Sequence, residues 1–235
     1  MSRALVACVL GALAGGCTGD LDPAWQLDHD RIVAVRATPP SIAPGDRSTI
    51  DALLARKGDK TRVASPDAAA VVSPMSLADV LAVDAGSWVV TAPSDDRLVT
   101  AREELKLAPG APVPLQIGVS YTNPTLAATK TIYLGAAAAN PALANVMIDG
   151  KPAGSADVIV DPIVKVPLSI DADDVQFDVV WLTSCGTRHD FDLPTAYLEV
   201  EADDPHAGEL AVVLRDASGG VSWSVWPIRA STATP

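Results

Sequence analysis

The chain is poor in cysteine, aromatic side chains and positive charge, and each shortage closes off a class of protein. Three cysteines occur in 235 residues, at positions 8, 17 and 185. That is too few for the disulfide framework that replaces a core in small secreted domains. Lys and Arg number 17 against 29 Asp and Glu, a formal charge of -12, and such a surface as a whole repels nucleic acid and anionic lipid headgroups. Histidine is confined to His29, His189 and His206, which with one mature cysteine makes a poor four-ligand zinc set. No apolar run approaches the ~20 residues that a membrane-spanning helix needs. A glycine-rich phosphate loop, a serine nucleophile elbow, EF-hand spacing and a basic-aromatic stripe are all missing. Neither a cofactor nor a metal-ligand set is read from the chain. What is plentiful is apolar material: 49% hydrophobic residues and a mean hydropathy of +0.24 are enough for packed cores.

The N-terminus carries the sharpest signal. Arg3, an apolar stretch from Ala4 to Ala14, and the small residues Gly15 and Gly16 before Cys17 form the pattern of a secretory signal peptide. The spacing resembles the lipobox of bacterial lipoproteins, with Ala14 where that family usually has Leu and with Leu13 one place further out. The resemblance implies a signal peptide of residues 1–16 and diacylglycerol on the sulfur of Cys17. Each buried lipid methylene contributes about 0.8 kcal/mol, so several chains hold a protein at a membrane surface. Thr18 after the cysteine, where Asp would retain an enterobacterial lipoprotein at the inner membrane, implies the outer membrane. The competing reading is cleavage after Ala12-Leu13-Ala14, an A-x-A site that releases a soluble protein.

Beyond Cys17, a polar stretch to Asp30 reads as a tether. Arg31 to Thr38 alternates with the period of a strand and stops at Pro39-Pro40; Ser41 to Gly45 reads as a turn, and Ser48 to Ala55 as a second strand. This opening resembles the first two strands of bacterial immunoglobulin-like domains, and the start of predicted lipoproteins of myxobacteria. Ser94, with Asp95 and Asp96 behind it, reads as the start of a helix whose Leu98, Ala101 and Leu105 share one face. Strand patterns return at Pro114 to Thr122 and Thr129 to Leu134. In the latter, Lys130 falls on the same face as Ile132 and Leu134.

Further on, strands are expected at Ala144–Ile148, Val164–Ile170, Val175–Leu182, Ala196–Val200, Glu209–Arg215 and Val221–Arg229. Asp216 to Gly220 reads as a hairpin loop, and the final hairpin resembles that of polycystic-kidney-type and related immunoglobulin-like modules. The fold class is therefore mainly β: two immunoglobulin-like β-sandwich domains, the first with a short helical insertion, after an N-terminal signal peptide. The expected division is signal 1–16, tether 17–30, first domain 31–135, linker 136–143, second domain 144–230 and tail 231–235.

Three constellations invite chemistry. Cys185 and His189 are close enough in sequence for a thiol and its base, although no third group or pocket is visible. Acidic clusters at Asp171, Asp173 and Asp174, at Asp190 and Asp192, and at Glu201, Asp203 and Asp204, with Asp216, invite calcium, but Asp is also an ordinary turn residue. Trp223 and Trp226 cannot both enter one core from a regular strand, so one of them faces another domain, a partner or a glycan. The reading that follows is a membrane-anchored envelope lipoprotein, a non-catalytic binding or scaffold module, with Cys17 the lipidation site. A thiol enzyme using Cys185 and His189 and a calcium-dependent adhesion-type module are the alternatives. Its partners are the membrane, through the anchor, and an envelope protein or glycan.

Overall fold

Alternating apolar residues need two sheets to bury them, and the chain supplies two pairs. The computed structural model describes residues 23–122, 125–154, 156–173 and 176–231. The expected signal peptide, Cys17 and the end of the tail lie outside the described residues.

The first pair of sheets is built from β1 (Arg31–Thr38), β2 (Ser41–Ile42), β3 (Arg47–Ala55), β4 (Arg62–Ala64), β5 (Ala68–Ser73), β6 (Leu81–Asp84), β7 (Ser87–Thr91), β8 (Val113–Tyr121) and β9 (Leu126–Leu134). One sheet runs β1-β3-β7-β6 with β4 also on β3, and the facing sheet runs β2-β9-β8-β5. The alternation on β8 sends Leu115, Ile117, Val119 and Tyr121 inward against Ile50, Ala52 and Leu54 of β3. Between β7 and β8 lies α1 (Asp95–Glu104), with Ser94 at the N-cap position but making no side-chain cap bond. Its Leu98 and Ala101 are fully buried. The Glu104 carboxylate accepts the Met75 and Ser76 N–H groups at 2.9 and 3.2 Å, so the helix covers one end of the sandwich.

The second pair comprises β10 (Met147–Ile148), β11 (Lys151–Pro152), β12 (Val158–Val160), β13 (Val166–Ser169), β14 (Phe177–Thr183), β15 (Thr187–His189), β16 (Thr195–Glu199), β17 (Ala207–Asp216) and β18 (Val221–Ala230). Its sheets run β11-β10-β13-β16-β15 and β12-β18-β17-β14. Trp181 fills the centre at 0% exposure, and its indole N–H donates to the Leu193 carbonyl at 3.1 Å. The molecule is two β-sandwiches, each with its own core between facing sheets. In each, one short strand pairs in parallel, β2 on β9 and β12 on β18, while the other pairings are antiparallel. Strands of two or three residues, such as β2, β11, β12 and β15, are too short to show a period; hence the turn expected at Ser41 to Gly45 begins with a strand.

The sandwiches are joined by a third apolar cluster. On β17, Leu210, Val212 and Leu214 face the second core. The alternate residues Ala211 and Val213 face the other way, onto Val33, Ala34, Leu53 and Ala55 of β1 and β3. A strand buried on both faces reads as a continuous apolar run, and Leu210-Ala-Val-Val-Leu214 is such a run. On β1 the register slips between Ile32 and Ala34, and this bulge turns two successive residues, Val33 and Ala34, toward the seam. Leu27 joins the same cluster at 2% exposure. Around it, the Thr183 N–H donates to the Trp25 carbonyl at 2.9 Å and the Leu27 N–H to the Thr183 carbonyl at 2.8 Å. The stretch read from sequence as a tether is thus, from Trp25 to Leu27, a strip laid along the end of β14, because Leu27 has an apolar site to fill.

An apolar seam of this kind couples the two sandwiches in unfolding. Val213→Ala is expected to lower stability by about 2 kcal/mol while calorimetry still shows one transition. Val213→Asp places an unpaired carboxylate in the seam and is expected to split that transition into two.

Candidate functional site

The thiol and imidazole singled out in the sequence are kept apart by strand geometry. Cys185 sits in the turn between β14 and β15, where its N–H donates to Thr183 Oγ1 at 3.0 Å and its side chain enters the second core at 0% exposure. Gly186 completes the turn at φ +83°, and a Cβ there would stand 2.5 Å from the Glu199 carbonyl oxygen, so glycine is required. Along β15 the alternation sends Arg188 inward and His189 outward, with His189 Nε2 lying 3.9 Å from Glu199 Oε2. Burial pushes the Cys185 thiol up to about 11, with Asp204 adding to the rise and Arg188 opposing it. A protonated, enclosed thiol is a poor nucleophile.

Arg188 itself was not marked by the sequence reading. It is 3% exposed, and none of its three side-chain nitrogens has a hydrogen-bond partner among the described residues. Its guanidinium stands 6.0 Å from the centroid of the Trp181 ring. Burial pushes its ionisation down, yet a guanidinium keeps its charge in proteins. Arg188 therefore places a desolvated charge in the core beside Cys185.

Three carboxylates of the acidic clusters are used in local hydrogen bonds. Asp216 Oδ1 accepts the Ser218 and Gly220 N–H groups at 2.9 and 2.8 Å. Asp204 Oδ2 accepts the Glu201 N–H at 2.8 Å, and Asp171 Oδ2 accepts from Asn145 Nδ2 at 3.4 Å. Among the described residues, no group of three or more His, Cys, Asp or Glu side chains is placed to hold a metal ion.

The tryptophans divide as their alternation requires. Trp226 enters the second core and donates to the Gly154 carbonyl at 2.8 Å. Trp223 turns to the seam, where the Arg36 guanidinium lies 3.9 Å from its ring centroid. Arg36 is held there by Asp51, with Nε to Oδ1 at 3.1 Å and Nη2 to Oδ2 at 2.6 Å. Such a stack is worth about 0.5–2 kcal/mol. Packing against the other sandwich is thus the role of the second tryptophan.

The seam is the site where the most polar chemistry converges. The tip of the β17–β18 hairpin docks on β9 and on the connection between sandwiches. Lys130 Nζ donates to the Gly219 carbonyl at 2.5 Å. Asn140 Nδ2 donates to the Ala37 carbonyl at 2.9 Å, while its Oδ1 accepts the Val221 N–H at 2.8 Å, so one side chain joins both bodies. Arg215 Nη2 reaches the carbonyl of the bulged Val33 at 3.0 Å, and its Nη1 reaches Asp178 at 3.1 Å. A Cβ on Gly220 would stand 2.4 Å from Asp216 Oδ2 and 2.8 Å from Pro141 Cδ, so the tip admits no larger residue. A cleft of about 570 Å³ runs along this seam past Arg31, Lys130, Arg215 and Asp216. Its cations are already engaged, Arg31 with the Ala24 carbonyl at 2.7 Å and the other two as above. Lys130 is 6% exposed. Burial pulls its ammonium down to about 8, opposed by the nearby Asp216 carboxylate. Its place on an apolar strand face was visible in the alternation, but the partner that holds it was not.

No family model matches the chain, and no curated protein sequence matches it either. Solved structures with a similar arrangement include the tandem Ig repeats of Dlar, at 11% identity and a TM-score of 0.30, covering 86% of this chain and 98% of that one. Murine CEACAM1b is similar at 11% identity and a TM-score of 0.29, covering 84% and 100%. Protocadherin Gamma B2 extracellular cadherin domains 3-6 follow at 14% and 0.28, covering 88% and 52%. At these scores the likenesses carry no argument about ligand or partner; the sandwich assignment rests on the strand pairing above.

Two measurements test this site. Cys185 is expected to resist alkylation at neutral pH until the protein unfolds, so the labelling rate should rise with denaturant; rapid labelling of folded protein would restore the thiol as a reactive group. For Lys130, the folded ammonium ionises below the unfolded one, so between about pH 8 and 10.5 the unfolded chain binds more protons and stability rises with pH. Comparing denaturation of wild type and Lys130→Met across that window should show a rise of about 3 kcal/mol that the variant lacks.

Proposed function

We propose that the mature protein is a membrane-anchored, non-catalytic binding or scaffold module of the cell envelope, attached through lipid on Cys17. The observation that carries this reading is the signal-like stretch ending at Cys17, set six residue steps (17 to 23) before a described body made of two joined sandwiches. Support for a non-catalytic role comes from the seam: its polar groups are used to hold the sandwiches together rather than to line a reactive pocket. The enclosed, protonated Cys185 and the outward His189 weigh against the thiol-enzyme alternative. Two sandwiches fixed face to face present loops and sheet edges at constant separation, which suits holding an envelope protein or glycan in a set orientation. Thr18 after the cysteine favours the outer membrane.

Fractionation combined with mass spectrometry tests the anchor. The wild-type protein is expected in the membrane fraction, with the mass of the mature N-terminal peptide raised by diacylglycerol and an acyl chain on Cys17. Cys17→Ala should move the protein to the soluble fraction. An N-terminus beginning at Gly15 without lipid would replace this reading with the soluble, A-x-A-cleaved form.

A further inference from the structure

Positive charge in this acidic chain gathers in one place. Arg56-Lys-Gly-Asp-Lys-Thr-Arg62 holds four of the 17 basic residues within seven positions, in the turn between β3 and β4. Lys57, Lys60 and Arg62 are exposed and Arg56 is half-buried. Among the described residues none of the four takes part in an ion pair.

The carboxylates around this turn bind its backbone instead. Asp28 Oδ1 accepts the Gly58 N–H at 2.6 Å, Asp30 Oδ1 the Lys57 N–H at 3.3 Å, and Glu209 Oε2 the Thr61 N–H at 2.6 Å. Asp59 accepts the N–H of Lys60 within the turn at 2.8 Å. Three carboxylates from neighbouring segments thus fix the shape of the loop through its backbone. Lys57, Lys60 and Arg62 are left exposed, Arg62 near the Asp67 carboxylate, while Arg56 Nη2 donates to the Thr122 carbonyl at 3.5 Å.

The position of the turn gives the charge a direction. Ala55, which precedes it, pairs with Arg31 at the start of β1, so the turn stands at the end of the molecule where the chain enters from its N-terminus. Asp28 and Asp30 belong to that entering segment and tie the two together. From Cys17 to Pro23 is six residue steps, a reach of at most about 21 Å whatever path the chain takes. With lipid on Cys17, this end is therefore confined near the bilayer surface.

We propose that the Arg56–Arg62 turn is a docking surface for anionic phospholipid headgroups, holding the anchored protein with this end against the membrane. This rests on the lipid-anchor reading for its geometry, and it adds an orientation that a lipid alone does not supply. A basic cluster close to an anionic surface gains from each charge, and the gain is lost as salt shortens the screening length.

The test uses the complete mature chain carrying Cys17→Ala, so that no lipid contributes, sedimented with vesicles of phosphatidylethanolamine containing phosphatidylglycerol. Binding is expected at low salt, with release at high salt and no binding to phosphatidylcholine vesicles. Lys57→Gln/Lys60→Gln should weaken partitioning about 25-fold, roughly fivefold per charge, and Lys57→Arg/Lys60→Arg should restore it. Lys106→Gln/Lys151→Gln makes the same change in net charge elsewhere and should leave partitioning close to that of the parent. Equal loss in both Gln pairs, equal binding to both vesicle types, or no binding at low salt would each overturn the docking surface. Those outcomes leave the lipid on Cys17 untouched, whereas a mature N-terminus without lipid removes the anchor whatever the vesicles do.

Discussion

The contact of Ala211 and Val213 on β17 with Val33, Ala34, Leu53 and Ala55 on β1 and β3 is the constraint on which the rest of the molecule depends. A sheet of an isolated sandwich shows water one of its faces, and its strands alternate accordingly. Here the outer face of the β12-β18-β17-β14 sheet is used as a second inner face. The two sandwiches therefore lie against each other along strand faces, rather than meeting only at the connection between them. Leu27 is drawn into the same cluster, so the segment leading in from the N-terminus has a defined path.

Polar groups then specify the registration that apolar contact leaves free. The bulge near Val33 releases a carbonyl for Arg215, the Gly219 carbonyl takes the Lys130 ammonium, and Asn140 binds Ala37 and Val221 at once. Each of these groups would be costly to bury unpaired, so only one docking of the hairpin satisfies them together. The low ionisation of Lys130 is a by-product of this arrangement: the ammonium is desolvated to reach its acceptor. Arg188 is the exception, a buried guanidinium with an aromatic ring and, among the described residues, no hydrogen-bond acceptor.

How much of this was legible follows from the length of each signal. Long alternations such as Leu115, Ile117, Val119 and Tyr121 announced their strand, and Asp95, Asp96, Leu98 and Ala101 announced the helix, because period and end signals agreed. The conflict between Trp223 and Trp226 showed that one strand needed two apolar environments. The run Leu210 to Leu214 had the composition of a doubly buried strand, but a five-residue run does not say what covers its second face. The alternation put Lys130 on one strand face with Ile132 and Leu134, but its acceptor lies 89 residues away. Cys185 and His189 looked paired because they are close in sequence, and the inward and outward alternation of β15 separates them.

By itself the sequence determined the strand periods, the acidic balance, the signal-like pattern proposed to end at Cys17 and the presence of a tryptophan with no place in its own core. These are local properties, set by residue type and spacing along the chain. Tertiary structure alone decided that the two sandwiches share a face, that Leu27 is packed and that Cys185 is enclosed. It also decided that the basic turn at Arg56 to Arg62 stands where the chain enters. Those facts depend on which distant faces meet, and a period of two residues fixes the side on which a side chain lies without naming its neighbour.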